Sequence, residues 1–255
     1  MKKYIRFTTK ENNSPKFGLL EADTVTTLAH APWDEITPTD EKYKLEQVKI
    51  VAPVSPSKII CIGLNYHAHI KASYSADEAP DNPLIFLKPS SSIIGDGEDI
   101  IHPPQSERVD YEAELGVVIG KTAKNVSESE ADKYIFGFTC VNDVTARDLQ
   151  KKDGQWSRAK GFDTFCPTGP HIVQNVDYSD ILIEGVVNGE VIQSGRTSQM
   201  IFKIPFLISY ISSVMTLFPG DLISTGTPAK IAPMQSNDII EVRIENVGTL
   251  KNKMA

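Results

Sequence analysis

The chain is a succession of short apolar runs cut by Pro, Gly, Asn and Asp, with few helical segments between them. KYIRFTT, KFGLLEA and TVTTLA come first. KIICIGL, PLIFLKP, YEAELGVVIG, IFGFTCVND, HIVQNV, LIEGVVNGEVI and DIIEVRIENVGTLKNKM follow. VNGEVIQ carries a hairpin signal, Asn188-Gly189 between alternating β-branched residues. Helical segments are expected at NYHAHIKASY, at SESEADKYI and at VTARDLQKKD. Strands that outnumber helices, and do not alternate with them, argue against a doubly wound sheet or a (β/α) barrel. An α+β fold rich in β-structure fits the pattern.

The opening β-type runs end at the proline-flanked linker Pro53–Pro56, which sets a boundary between a small N-terminal β domain, 1–55, and a larger unit, 56–255. At 255 residues the chain is long enough for a buried core without disulfide or metal staples. Its formal net charge of −7 gives no bulk field for nucleic acid or an anionic membrane surface. Cys61, Cys140 and Cys166 form no C-x-x-C pair and are odd in number, which points to free buried thiols in a reducing cytoplasm. The N-terminus MKKYIRFTTKENN lacks the apolar core of a secretory signal. The most apolar stretch, Ile201 to Phe218, is interrupted by Lys203 and Pro205. It reads as a buried helix that starts near Pro205 and stops before Pro219-Gly220, not as a membrane span.

Motifs for phosphate loops, dinucleotide binding, serine hydrolysis and zinc proteolysis are absent from the sequence. The informative segment is Asp110-Tyr111-Glu112-Ala113-Glu114-Leu115. In a strand, Glu112 and Glu114 share one face. Two like charges beside the buried run Gly-Val-Val-Ile need a cation to neutralise them, either lysine, arginine or a metal. Asp143 lies at the end of FGFTCVND, where an apolar strand gives way to a turn. Three carboxylates suit Mg²⁺, Mn²⁺ or Ca²⁺ better than zinc.

The segments IGLNYHAH, PLIFLKPSSSIIG, PPQSERVDYEAELGVVIG, GFTCVNDVTARDLQ, RAKGFDTFCPTGP, VNGEVIQ and PGDLISTGTPAKI, in this order from about Lys58 to Lys253, resemble the fumarylacetoacetate hydrolase family. The resemblance implies a mixed β-sandwich roll, a homodimer and a divalent metal, Mg²⁺ or else Mn²⁺ or Ca²⁺. It makes Glu112, Glu114 and Asp143 the metal ligands, and Lys160 of RAKGF the active-site lysine. Gln150 and Thr227 become substrate contacts. His69 of NYHAHI falls at the position of the family's lid histidine.

One position departs from the pattern. Hydrolytic and decarboxylating members commonly carry a glutamate three residues after that histidine, and here Ala72 stands there. A carboxylate at that place would orient the imidazole and strengthen it as a base toward water. Asp77 or Glu78 could substitute. The resemblance therefore implies a metal-dependent enzyme acting on small 2-oxo dicarboxylates through an enolate, as a keto–enol tautomerase or isomerase of the oxaloacetate or 2-hydroxyhepta-2,4-dienedioate type. Acylpyruvate C–C hydrolysis, oxaloacetate decarboxylation and non-catalytic binding of an oxo acid and metal stand as alternatives.

Overall fold

The computed structural model describes residues 1–72 and 79–255. Asp77 and Glu78 lie outside the described residues.

The described residues form three sheets. The central strands of the largest are Cys166–Val173, Ile135–Asn142, Ala113–Ile119, Leu222–Ser224, Ile59–Gly63 and Leu84–Lys88, in that spatial order. The pairs are antiparallel except Leu222–Ser224 with Ile59–Gly63. The N-terminal meander of Lys3–Thr9, Lys16–Glu21, Thr24–Leu28 and Pro38–Lys44 continues the same sheet. It joins through Lys3 opposite Val173 and Tyr4 opposite Ile172. A second sheet holds Glu190–Arg196, Leu182–Val187, Ile239–Ile244, Gly248–Met254 and Asp99–Ile100.

Every residue of Ala113–Ile119 is buried, because the strand has a core on each face. Leu115, Val117 and Ile119 pack toward Val242, Ile244 and Leu250 of the second sheet. Val118 faces the other way, toward Ile59, Cys61, Val141 and Cys166. This explains why the run lacks the polar alternation of a half-exposed strand. All three cysteines are free and buried.

The helix Ile204–Val214 carries its proline in the first turn, where a missing N–H costs no intrahelical bond, and buries Leu207, Ile208 and Ile211. Asn188 and Gly189 turn the predicted hairpin with φ of 51° and 86°. Positive φ at both central residues is what a tight two-residue hairpin turn demands. SESEADKYI forms a 3₁₀ helix, Glu128–Tyr134, whose Ser127 makes no side-chain cap. Among the described residues no helix is long and apolar enough to cross a membrane. The outcome is the β-rich α+β roll that the sequence pattern and the resemblance imply.

Candidate active site

The site forms where two central strands part. Pairing between Ala113–Ile119 and Ile135–Asn142 ends at Ala113 opposite Asn142. Beyond that point the Glu112 N–H donates to Asn142 Oδ1 at 3.0 Å, and the Asp143 N–H donates to the Glu112 carbonyl at 2.9 Å. The expected single strand through Glu112 is broken. Val109–Tyr111 belongs to a separate three-stranded sheet with Thr145–Ala146 and Ala232–Pro233, so the chain changes sheets at Glu112. The carboxylates converge all the same. Oxygens of Glu112, Glu114 and Asp143 lie within 4.8 Å of one another, and all three residues are buried.

Cations surround them, with Lys88 and Lys160 buried, Arg147 part-buried and Arg108 exposed. Lys160, 2% exposed, donates to Glu112 Oε2 at 2.9 Å and to Asp143 Oδ2 at 2.5 Å. Lys88, 1% exposed, donates to Asp143 Oδ1 and, at 3.0 Å, to the Val144 carbonyl. Arg147 pairs with Glu112 through Nη2 and with Asp110 through Nε at 2.8 Å. Arg108 completes the set on Asp110 at 2.8 Å. Four carboxylates, Asp110, Glu112, Glu114 and Asp143, thus face four cations, Lys88, Arg108, Arg147 and Lys160.

The balance is uneven within the set. Burial alone would raise Glu112, but Lys160 and Arg147 outweigh it and hold the carboxyl well below its ordinary range. Burial likewise works against the charge of Lys160, yet Asp143 and Glu112 push its pKa above the ordinary value and keep it protonated at neutral pH. Glu114 has no ion-pair partner among the described residues. Its Oε2 accepts from the Ser224 hydroxyl at 2.5 Å and from the Gly226 N–H at 2.9 Å. Burial, with Asp143 and Glu112 adding to it, pushes Glu114 up to about 8. An all-oxygen donor set with one uncompensated buried carboxylate fits a hard divalent cation, which would remove that repulsion.

The structure places the remaining sequence candidates around the same narrow cleft, which Glu112, Glu114, His69, Gln150, Lys160 and Thr227 help to line. His69 stands on the short helix His67–Ala72 and is buried. Burial lowers its pKa, with Glu112 opposing, and its Nδ1 has no hydrogen-bond partner among the described residues. Gln150 lies one turn after Arg147 on the helix Arg147–Asp153, and its Oε1 accepts from Arg147 Nη1 at 2.5 Å. The Thr227 hydroxyl donates to the Ala113 carbonyl at 3.0 Å and accepts from Gln193 Nε2 at 2.7 Å.

Sequence reasoning missed Lys88, Arg147 and Gln193. Lys88 is the one charged residue of the apolar run PLIFLKP, and a lysine buried in a strand requires a carboxylate partner. Gln193 closes the VNGEVIQ string. It also accepts from the Ala113 N–H at 3.1 Å and donates to the Pro228 carbonyl at 2.6 Å.

Known proteins resemble this chain in sequence and in fold. A family model described as fumarylacetoacetate hydrolase, C-terminal, matches residues 58–255. The chain belongs to the fumarylacetoacetate hydrolase family. An N-terminal model, described as Rv2993c-like, matches residues 2–53. An uncharacterized protein of Methanocaldococcus jannaschii is 51% identical over 211 residues, covering 83% of this chain and 88% of its own. The mitochondrial oxaloacetate tautomerase of Rattus norvegicus is 43% identical over 220 residues, 82% of this chain and 70% of its own. A crystal structure of a 5-carboxymethyl-2-hydroxymuconate delta-isomerase from Mycobacterium smegmatis superposes with a TM-score of 0.93 at 40% identity, covering 99% of both chains. Members of the fumarylacetoacetate hydrolase family generally use divalent metals, and the acidic triad here could bind one.

Proposed function

We propose that the protein is a divalent-cation-dependent tautomerase or isomerase of small 2-oxo dicarboxylates, with oxaloacetate as the first substrate to test. The observation that carries this is the buried charge set. Its carboxylates face the buried Lys88 and Lys160 and the part-buried Arg147, with Arg108 at the exposed rim, so a bound divalent cation leaves the cleft net positive and complementary to an anionic substrate. The tautomerase and isomerase named among the relatives support the same reaction class.

Glu112, Glu114 and Asp143 would hold the ion, which when bound supplies a Lewis acid that withdraws electron density from a 2-oxo acid. The chain's own groups do the rest. Lys160 stays protonated and offers a hydrogen bond to an enolate oxygen, where negative charge develops. With its carbonyl oxygen taken by Arg147, Gln150 keeps its amide N–H groups for a substrate carboxylate. His69, kept neutral by burial, takes the proton of the enol hydroxyl and returns a proton to the neighbouring carbon, which converts enol to ketone with no net loss or gain of atoms.

Hydrolysis asks more of the histidine, because water must be deprotonated as it attacks. Among the described residues no carboxylate orients the His69 ring, and position 72 is alanine. That favours tautomerisation over C–C hydrolysis. Freshly dissolved enol oxaloacetate, followed by proton NMR with metal-stripped protein before and after Mg²⁺ addition, tests the reading. Metal-dependent loss of enol without pyruvate is the expected result. Pyruvate formed in step with oxaloacetate loss, above the metal-only background, would make the enzyme a decarboxylase.

A further inference from the structure

Aromatic side chains line the cleft beside its charged groups. Trp156 and Phe86 meet edge to face, with ring centroids 5.2 Å apart and planes at 73°. Phe86 in turn lies under Lys160, whose Nζ is 4.9 Å from the ring centroid. Trp156 is tied to the same lysine through the backbone, since its carbonyl accepts the Lys160 N–H at 3.0 Å. The indole is therefore held in a fixed relation to the charged end of the site.

Gly63 makes room for it. A Cβ at position 63 would stand 2.6 Å from Trp156 Cζ3 and 2.9 Å from Cη2. The six-membered ring of the indole rests directly on the Gly63 backbone, and no larger residue fits there without moving the ring. Gly63, Phe86 and Trp156 all line the cleft that holds Glu112, Glu114, Asp143 and Lys160.

We propose that Trp156, seated on Gly63 and braced by Phe86, is the residue that sets the upper length of the substrate chain and restricts the site to compact 2-oxo acids. The inference rests on the reaction proposed above. A 2-oxo acid whose oxo-acid end lies among the charged groups has its chain bounded by the indole. A four-carbon dicarboxylate stops short of it, whereas a 2,4-dioxo acid with a long acyl tail runs into it. Trp156 lines the binding cleft but carries no charge and no proton for the reaction, so it acts on selectivity.

The test is a graded series, Trp156→Phe, Trp156→Leu and Trp156→Ala, assayed for enol loss on oxaloacetate and on 2,4-dioxooctanoate. The ratio of kcat/KM for the long substrate over the short one is expected to rise with the volume removed, reaching at least about tenfold in the alanine variant. An unchanged ratio, with both substrates slowed alike, overturns the proposal.

A binding readout separates this outcome from failure of the reaction itself. The chain has two tryptophans, Trp33 and Trp156, so a Trp33→Phe protein reports from Trp156 alone. In that protein loaded with Mg²⁺, oxalate and 2,4-dioxooctanoate are titrated by fluorescence, and the same two ligands are titrated by calorimetry into the Trp156→Ala protein. Oxalate is expected to bind both proteins, and the long acid to gain affinity only when the indole is removed. That result upholds the size limit even if oxaloacetate is not turned over. Equal affinity for the long acid with and without the indole overturns it.

Discussion

Lys88 and Lys160 grip Asp143 from its two oxygens, Lys88 on Oδ1 and Lys160 on Oδ2. One lysine comes from the strand Leu84–Lys88 and the other from the short helix Ser157–Lys160, so the carboxylate is fixed by elements remote in sequence. Loss of either lysine leaves one oxygen of this buried carboxylate without its cation.

Replacing Lys88 with methionine removes one grip while keeping the length of the side chain. A broken buried pair costs about 3–5 kcal/mol, because the remaining charge loses its compensation. Denaturant unfolding of the Lys88→Met protein should show a loss of that order. The Lys88→Met/Asp143→Asn double variant should recover part of it, since in the single variant Asp143 keeps a cation on one oxygen only.

Glu114 predicts an unusual pH dependence for the metal-free protein. Its folded pKa of about 8 lies above the ordinary 4.5, so the native state holds a proton that the unfolded chain releases. The stability this contributes is complete below 4.5 and is lost as pH rises toward about 8. Glu112 acts the other way, losing its contribution only as pH falls below its ordinary 4.5. Unfolding measured across the neutral range should therefore show stability falling with rising pH, and Glu114→Gln should flatten that slope.

His171 supplies an acid-side prediction away from the site. It is buried, and its Nε2–H donates to the Val247 carbonyl at 2.7 Å. Burial lowers its pKa from 6.5, partly offset by that carbonyl. As pH falls through 6.5 the unfolded chain gains a proton that the native ring resists, so stability declines until the folded pKa is reached. Chemical unfolding at mildly acid and neutral pH should show a smaller acid loss in His171→Gln.

Gln193 joins three backbone or side-chain groups under the site: Ala113 N–H, the Thr227 hydroxyl and the Pro228 carbonyl. Gln193→Leu leaves buried polar groups unpaired at about 1–3 kcal/mol each. Thermal unfolding should show the loss, and the assay should show a raised KM for oxaloacetate as Thr227 and the adjoining Gly226 N–H lose their fixed position.

Much of this was readable from residues. Turn residues and apolar runs located the strands, Asn188-Gly189 located a hairpin, and Pro205 located the start of the longest helix. The triad was readable as residue types, and the resemblance brought Lys160 to it. The break at Glu112 was not readable, because YEAELGVVIG has no turn residue there and the change of sheet depends on pairing with Thr145–Ala146 and Ala232–Pro233. Lys88 and Arg147 were hidden for a related reason. Their partners Asp143, Asp110 and Glu112 lie 55, 37 and 35 positions away, where no local pattern reports a contact. The joining of Lys3–Thr9 to Cys166–Val173 is the same kind of long-range register.

The central claim is that Glu112, Glu114 and Asp143 form one divalent-cation site. Mn²⁺ titrated into metal-stripped protein and followed by electron paramagnetic resonance tests it without any substrate. The account predicts one bound ion per chain in the wild type, displaced by Mg²⁺, and a marked loss of binding in Glu114→Gln. Equal Mn²⁺ binding by the two proteins, or none by the wild type, would contradict it.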